Sequence, residues 1–216
     1  MYSSCCEGCG HSFSSRDDLR KAIEEFRLNS SASTDKYGVM NCWDVSSITD
    51  MSKVFYSESA TELNIDMFNE PINCWDVSRV ITMYGMFGFA TSFNQPLHHW
   101  DVSSVTNMIG MFGEAISFNQ PLETWDVSSV TDMSLMFYEA ANFNQPLNEW
   151  NVSSVTDLRS MFSGSTKFNQ NLCKWYNYDK NPVVLFMFSS SNCTDKSDPD
   201  FVAKTSFCGV CKVAEV

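Results

Sequence analysis

The chain has 216 residues, of which 44% are hydrophobic, and a net charge of −12 from 26 acidic and 14 basic residues. This hydrophobic content is typical of a globular protein and excludes a disordered chain. The acidic charge and the absence of lysine or arginine runs argue against nucleic acid as a partner, because nucleic-acid binding depends on basic contacts to phosphates. No apolar stretch of about 18 residues occurs, so the sequence predicts no transmembrane segment.

Residues 1–36 are predicted to form an N-terminal segment with a capping helix. Ser15 and Asp18 form a capping box at the start of this helix. We expect the helix to cover the first repeat, because the end repeats of a repeat protein expose their core. The start of the chain lacks the charged and apolar regions of a secretory signal, which predicts either a protein that is not secreted or a missing start. The apolar stripe of the helix is Leu19, Ala22, Ile23 and Phe26.

Residues 37–188 contain a tandem repeat, clearest at 118–137 as FNQPLETWDVSSVTDMSLMF. The tryptophans that mark it are spaced by 32, 25, 25, 25 and 25 residues. A fixed period of this length predicts a solenoid of stacked units. The longer first spacing places an acidic insertion near residues 60–66, which we expect to be a loop. The marker residues, expected to stack inside, are Trp43, Trp75, Trp100, Trp125, Trp150 and Trp175.

A polar residue separates each tryptophan from a valine two positions later, which predicts a short strand with an inward apolar face. A column of carboxylates at this polar position could bind calcium. We favour the alternative that each side chain accepts a backbone N–H two residues on, in an Asx-turn, because Asn151 does this without charge. The polar residues are Asp44, Asp76, Asp101, Asp126 and Asn151.

The second half of each repeat is predicted to be a short helix. Apolar residues at 133, 136, 137 and 140 have helical spacing, and prolines such as Pro146 end the segment. Good helix N-caps stand seven residues after each tryptophan, and the asparagines of the FNQ segment are expected to form an internal ladder. The N-cap candidates are Asp50, Thr82, Asn107, Asp132 and Asp157, and the ladder candidates are Asn94, Asn119, Asn144 and Asn169.

These patterns together predict an α/β repeat solenoid of about six coils, each a short strand plus a short helix. The N-terminal helix caps one end, and a cysteine-rich segment, residues 189–216, caps the other.

The nine cysteines predict disulfide bonds. Cys42 and Cys74 each precede a repeat tryptophan, and we expect them to be neighbours close enough for a bond. The four near the C-terminal cap predict two bonds, whose pairing the sequence leaves open among three connectivities. The alternative is a zinc site that joins the Cys6–Cys9 and Cys208–Cys211 pairs with His11, which would require the two chain ends to meet. The four cysteines are Cys173, Cys193, Cys208 and Cys211.

The repeated FNQPL-x-x-WDVSSVT-x-M-x-x-MF resembles the repeat of the BspA-like bacterial surface-protein family, which also occurs in mycoplasma lipoproteins, algae and protists. The resemblance covers about residues 37–188 and is most specific in the third to fifth repeats. It implies a leucine-rich-repeat-like solenoid and a secreted or cell-surface location. It also implies adhesion to host or matrix proteins, and it supplies no catalytic residues to carry over. Sequons at Asn29, Asn151 and Asn192 fit a secreted glycoprotein.

We therefore expect a non-catalytic extracellular or cell-surface recognition and adhesion module that binds a protein or a glycan through an extended face. The chain has three histidines and no GxSxG, HExxH or phosphate-loop motif, so we expect no enzyme, no cofactor and no metal. Alternatives are a cytoplasmic interaction scaffold, which reduced cysteines would favour, and ice or mineral binding by the hydroxyl groups. The candidate binding residues on the strand side are Ser78, Arg79, Ser103, Ser104, Ser128, Ser129, Ser153 and Ser154.

Overall fold

The computed structural model describes residues 10–56, 67–177, 181–203, 205, 207–209 and 211. Two α-helices, α1 (Arg16–Leu28) and α2 (Ser30–Tyr37), precede the repeats. Short 3-10 helices span Met40–Cys42 and Cys173–Asn177. The predicted insertion near residues 60–66 lies outside the described residues. No helix among the described residues is long and apolar enough to cross a membrane.

The N-terminal capping helix is confirmed. The Ser15 hydroxyl accepts the backbone N–H of Asp18 at 3.1 Å, and Leu19, Ala22 and Ile23 are buried in the same core as the repeats. Because these apolar side chains point at the first repeat, α1 removes that end of the core from water.

Helix α2 was not predicted, because its segment is polar and has no apolar stripe. It begins at the N-cap Asn29, whose side-chain oxygen accepts the N–H of Ala32 at 3.0 Å. Its last turn is held to α1 by Lys36 and Tyr37, whose polar atoms lie 2.8 and 3.0 Å from a carboxylate oxygen of Glu25. Helix α2 therefore depends on a cap and on contacts to α1.

The prediction of a strand and a helix in every repeat is wrong. Among the described residues, no segment of the repeats forms a β-strand or an α-helix. Neighbouring repeats instead meet at isolated parallel bridges, so the chain is not an α/β solenoid and lacks the strand that a leucine-rich-repeat-like coil would carry. One column of bridges runs through Asp50, Thr82, Asn107, Asp132, Asp157 and Val183.

Tight turns replace the predicted helix, as the repeat of Trp125 shows. The N–H of Met136 donates to the carbonyl of Met133 at 3.2 Å, whereas the intervening N–H of Leu135 donates to Arg159 in the next repeat at 2.9 Å. Leu135 has a φ of 59°, which the third residue of a type II turn requires and a right-handed helix excludes. The equivalent residues of the other regular repeats also have positive φ: Lys53, Gly85, Gly110 and Ser160.

The predicted N-caps are turn residues as well. The Asp132 carboxylate accepts the N–H of Ser134 at 2.9 Å, and Asp50 accepts that of Ser52 at 2.7 Å, both two residues on. An Asx-turn and a helix N-cap both need a short polar side chain that accepts a backbone N–H, so residue type does not separate them.

Stacked aromatic rings fill the interior of the repeats. The ring centroids of Phe112 and Phe137 lie 5.6 Å apart at an interplanar angle of 6°, and Phe143 of a second column lies 3.9 Å from Phe137. The tryptophans are buried, as expected, with Trp100 and Trp125 6.5 Å apart and nearly parallel. We call this arrangement, residues 43–192 as far as they are described, the repeat stack.

The asparagine ladder is confirmed. The N–H of Asn144 donates to the side-chain oxygen of Asn119 at 2.9 Å, and the Gln145 amide donates to the same oxygen at 3.0 Å. Asn119 in turn donates its own N–H to Asn94. Asn94, Asn119 and Asn144 therefore each accept a backbone N–H and a glutamine side-chain amide of the next repeat.

We expect Asn119→Ala to lower the free energy of unfolding by about 2 kcal/mol, because two donors of the next repeat lose their acceptor. Urea denaturation followed by circular dichroism measures this change. Thr124→Ala, an exposed site in the same repeat, is the control and should change stability by less than about 0.5 kcal/mol. Equal stabilities of the two variants would show that the ladder contributes nothing.

Candidate ligand-binding cleft

Two columns of residues lie in the turns that replace the predicted helices, on the side of the repeat stack that we call the turn side. Their side chains determine the shape of this surface. The first turn column is the tenth residue after each tryptophan, and the second turn column is the thirteenth. Glycine occupies both columns in two consecutive repeats, whereas the repeats on either side carry larger residues. The first turn column is Lys53, Gly85, Gly110, Leu135 and Ser160, and the second is Tyr56, Gly88, Gly113, Tyr138 and Ser163.

The missing side chains leave a cleft of about 270 Å³, open to solvent. Glycines form its floor, and aromatic and aliphatic side chains form its walls. Tyr84, Phe89 and Leu135 are between 36% and 40% exposed, which is high for residues of this type. The full lining is Lys53, Tyr56, Tyr84, Gly85, Gly88, Phe89, Ile109, Gly110, Gly113, Glu114, Leu135 and Tyr138.

The first end wall is a packed group around Tyr56. Its ring meets that of Phe89 edge to face, with centroids 5.3 Å apart, and the Lys53 ammonium lies 4.3 Å from its centre. A Cβ at Gly88 would lie 2.7 Å from Cδ2 of Tyr56, so glycine is required there for the ring to keep its place. This wall is therefore fixed by packing before any ligand arrives.

Gly110 has a different role, because equivalent repeats hold residues other than glycine in the same backbone conformation. Its φ is 57°, but Lys53, Leu135 and Ser160 hold the same position at 56°, 59° and 53° with side chains in place. A Cβ at Gly110 would meet no heavy atom within 4 Å. The effect of this glycine is to keep the centre of the cleft open.

The cleft has a carboxylate two repeats away from Lys53. Glu114 is half-buried, and this burial raises its pKa. The neighbouring carboxylate of Glu139 raises the pKa of Glu114 further, since two negative charges repel. A cationic group placed between them would remove this repulsion.

The backbone of the floor offers no free donors. The N–H groups of Gly85 and Gly110 donate to the next repeat at 2.8 and 2.9 Å, and those of Gly88 and Gly113 donate within their own turns at 3.0 Å. A ligand in the cleft would therefore find no free N–H group on these glycines, and side chains and carbonyl oxygens would have to recognise it.

Comparison with known proteins assigns the chain to a protein family. A family model described as "Mycoplasma protein of unknown function, DUF285" matches residues 19–128 and 98–201, which together span most of the chain. The chain belongs to the DUF285 family. The sequence resemblance is confirmed at this broader level of a mycoplasma-linked repeat family, and the finer BspA-like assignment stays a prediction. No curated protein and no solved structure matches the chain.

In this DUF285 chain, the candidate serine pairs do not line the cleft. The N–H of Val80 donates to Val77 at 2.9 Å, so Ser78 and Arg79 are the central residues of a turn, and the strand expected to carry them is absent. The Ser78 hydroxyl donates to Asp76 at 2.6 Å. The same turn position holds Ser103, Ser104, Ser128, Ser129, Ser153 and Ser154, whose role in binding stays a prediction.

In the DUF285 chain, the polar residues that follow the tryptophans form the Asx-turns that we favoured over a calcium ladder. Asp126 accepts the N–H of Ser128 at 3.0 Å, and Asn151 accepts that of Ser153 at 3.1 Å, as the Asx-turn alternative predicts. Among the described residues, no group of three or more histidine, cysteine, aspartate or glutamate side chains could hold a metal ion.

The expectation of disulfide bonds is confirmed. Cys173 is bonded to Cys211, and Cys193 to Cys208, which gives the connectivity that the sequence left open. Cys208 and Cys211 are therefore not zinc thiolates, and the Cys6–Cys9 pair of that hypothesis lies outside the described residues.

Cys42 and Cys74 are each disulfide-bonded, but the expected bond between these two is not among the disulfides that join described residues. The three sequon asparagines, Asn29, Asn151 and Asn192, are exposed, and their glycosylation stays a prediction.

The sequence contained a signal for the cleft that position-by-position reading of the repeat passed over. The glycines at 85, 88, 110 and 113 occur three residues apart in two consecutive repeats and in no other regular repeat. Glycine at a surface position that other repeats fill with side chains indicates a depression, once the turn side is known to face solvent.

Proposed function

We propose that this protein is a non-catalytic extracellular or cell-surface recognition module, and that it binds a protein or glycan ligand in the glycine-floored cleft. The observation that carries this proposal is the open space at Gly110, where the fold accepts a side chain in equivalent repeats. A concave site with aromatic walls and a few polar groups is the usual form of a ligand-binding site.

The location rests on the disulfide bonds. Structural disulfides persist in oxidising compartments and are rare in the cytosol. Two bonds hold the C-terminal cap, at sequence separations of 38 and 15 residues, and Cys42 and Cys74 are also bonded. This redox state favours a secreted or cell-surface protein over a cytoplasmic scaffold.

The lining of the cleft favours binding over catalysis. Its described lining contains no histidine, cysteine or serine, so it offers no serine–histidine or cysteine–histidine pair for nucleophilic catalysis.

The threonine hydroxyl groups are less available to bind ice or mineral surfaces than the sequence suggested. The hydroxyls of Thr131 and Thr156 donate to carbonyls of the preceding repeat at 3.1 and 3.0 Å.

We expect Gly110→Leu to weaken ligand binding at the cleft strongly, because the new side chain fills the open space at Gly110, and Leu135 shows that the backbone holds leucine at this position. The oxidised, full-length protein would be tested by surface plasmon resonance against a printed panel of extracellular-matrix proteins, serum proteins and glycans. At least one of these ligands should bind the native protein and lose at least about tenfold in affinity with the variant, or about 1.4 kcal/mol.

Ser160→Leu is the matched control. It places the same side chain in the same column at nearly the same φ, but outside the cleft. Its affinities should lie within about twofold of the native values. If every panel ligand bound all three proteins equally, or none bound the native protein, the proposed function would fail.

A further inference from the structure

The chemistry of the cleft narrows the class of ligand, if the proposed function holds. Tyr56, Tyr84, Phe89 and Tyr138 give it aromatic walls, and Ile109 and Leu135 add aliphatic surface. The floor N–H groups are already bonded, so a ligand cannot pair with them as an added strand would. A densely hydroxylated glycan would form few hydrogen bonds with the apolar part of these walls, and most of its hydroxyl groups would have to stay in solvent. An apolar segment whose own backbone needs no partner in the cleft fits better.

A polyproline II segment has these properties. It has no internal hydrogen bonds, its backbone stays solvated, and proline rings pack into grooves lined by aromatic side chains. Little conformational entropy is lost when it binds, because proline already fixes φ.

The length of the cleft suits a short segment of this kind. Tyr56 and Tyr138 belong to repeats that are three steps apart, and a step of about 4.8 Å between neighbouring chains gives about 14 Å. A polyproline II helix rises about 3.1 Å per residue, so the cleft accommodates roughly four or five residues.

The charged side chains at the two ends of the cleft would determine the orientation in which such a segment binds. Glu114 and Glu139 stand together near one side, and burial raises the pKa of Glu114, with Glu139 raising it further. Lys53 stands at the other end, over the ring of Tyr56. A cationic residue would therefore be attracted to the Glu114 side and repelled from the Tyr56 wall. The net charge of −12 would also increase the association rate of a cationic partner.

We propose that the cleft binds an extended, proline-rich segment of a partner protein, with an arginine or lysine of that segment beside Glu114 and its prolines against Tyr56, Tyr84 and Tyr138. This inference rests on the proposed function and adds the chemical class of the partner and the orientation in which it binds.

Fluorescence anisotropy with three labelled peptides of equal length tests it. The first is an oligoproline with arginines at one end, the second an oligoproline with glutamates there, and the third a glycine-serine peptide with the same arginines. The proteins are the oxidised native chain, Gly110→Leu, Ser160→Leu and Glu114→Gln. Circular dichroism and thermal unfolding establish that each variant is folded.

The arginine-oligoproline peptide should bind the native protein and Ser160→Leu equally, and Gly110→Leu at least about tenfold more weakly. Glu114→Gln should lower the affinity for this peptide by about three- to tenfold and leave the glutamate peptide unaffected or bound more tightly. Glu114→Gln leaves the cleft open, so it reports on orientation even if Gly110→Leu fails to fold.

Equal binding of the arginine peptides with and without proline would overturn the inference, since general attraction to an acidic protein would then explain both. Absence of binding by the arginine-oligoproline peptide would overturn it as well. The ligand panel described above separates this failure from that of the proposed function. A panel glycan whose binding is lost in Gly110→Leu, and kept in Ser160→Leu, would uphold the cleft as a binding site and exclude the proline-rich class.

Discussion

Replacing Phe137 with alanine should lower the free energy of unfolding by about 3–5 kcal/mol. Phe137 is 0% exposed and lies in the middle of its column, with the ring centroids of Phe112 and Phe162 each 5.6 Å away and that of Phe143 3.9 Å away. Removal of the ring leaves a cavity that rigidly stacked neighbours cannot fill, so the lost dispersion contacts are not replaced. Urea denaturation monitored by tryptophan fluorescence measures the change.

Leu135→Ala is the control for this experiment. Leu135 belongs to the same repeat and is 40% exposed, so its truncation should cost less than about 1 kcal/mol. Comparable losses in the two variants would contradict the aromatic columns as the main source of stability.

Loss of the Cys173–Cys211 bond should also be strongly destabilising. The bond closes a sequence separation of 38 residues, for which the chain-entropy relation gives about 4 kcal/mol at 25 °C. The Cys193–Cys208 bond closes 15 residues and should contribute about 3 kcal/mol. Double Cys→Ser variants of each pair, studied by urea denaturation, measure the two contributions separately.

The informative result is which of the two double variants loses more free energy of unfolding. If removal of the shorter-range pair cost more, the bonds would stabilise the folded cap and not chiefly restrict the unfolded chain. If neither variant changed stability, the cap would be held by its apolar contacts, such as those of the buried Phe207.

The features that followed from side-chain chemistry were predictable from the sequence. Ser15 and Asp18 specify the start of α1 locally, and Asn119 recurs at a fixed period beside a turn, so both were assigned correctly. The series of tight turns that replaces the predicted helix, here called the turn series, was not predictable from apolar spacing. Met133, Met136 and Phe137 are buried in these turns just as they would be on one face of a helix.

The distinction between a helix and this turn series lies in backbone bonds between repeats. The N–H of Leu135 donates to residue 159, and no pattern within a single repeat reveals such a partner. The cleft was missed for a related reason. The spacing of Gly85 and Gly110 is visible in the sequence, but it indicates a cleft only when the other repeats are known to place side chains on the same outer surface.

The first turn column also has an evolutionary consequence. Its left-handed backbone is held by hydrogen bonds to the next repeat, and glycine, lysine, leucine and serine all occupy it at nearly the same φ. Mutations at this column therefore alter the outer contour of the protein, and the fold accepts side chains there despite the cost of the left-handed conformation. Gain or loss of a whole repeat would shift such a contour by one step of about 4.8 Å and keep the interior closed. Selection can then act on the surface shape of the protein one repeat at a time.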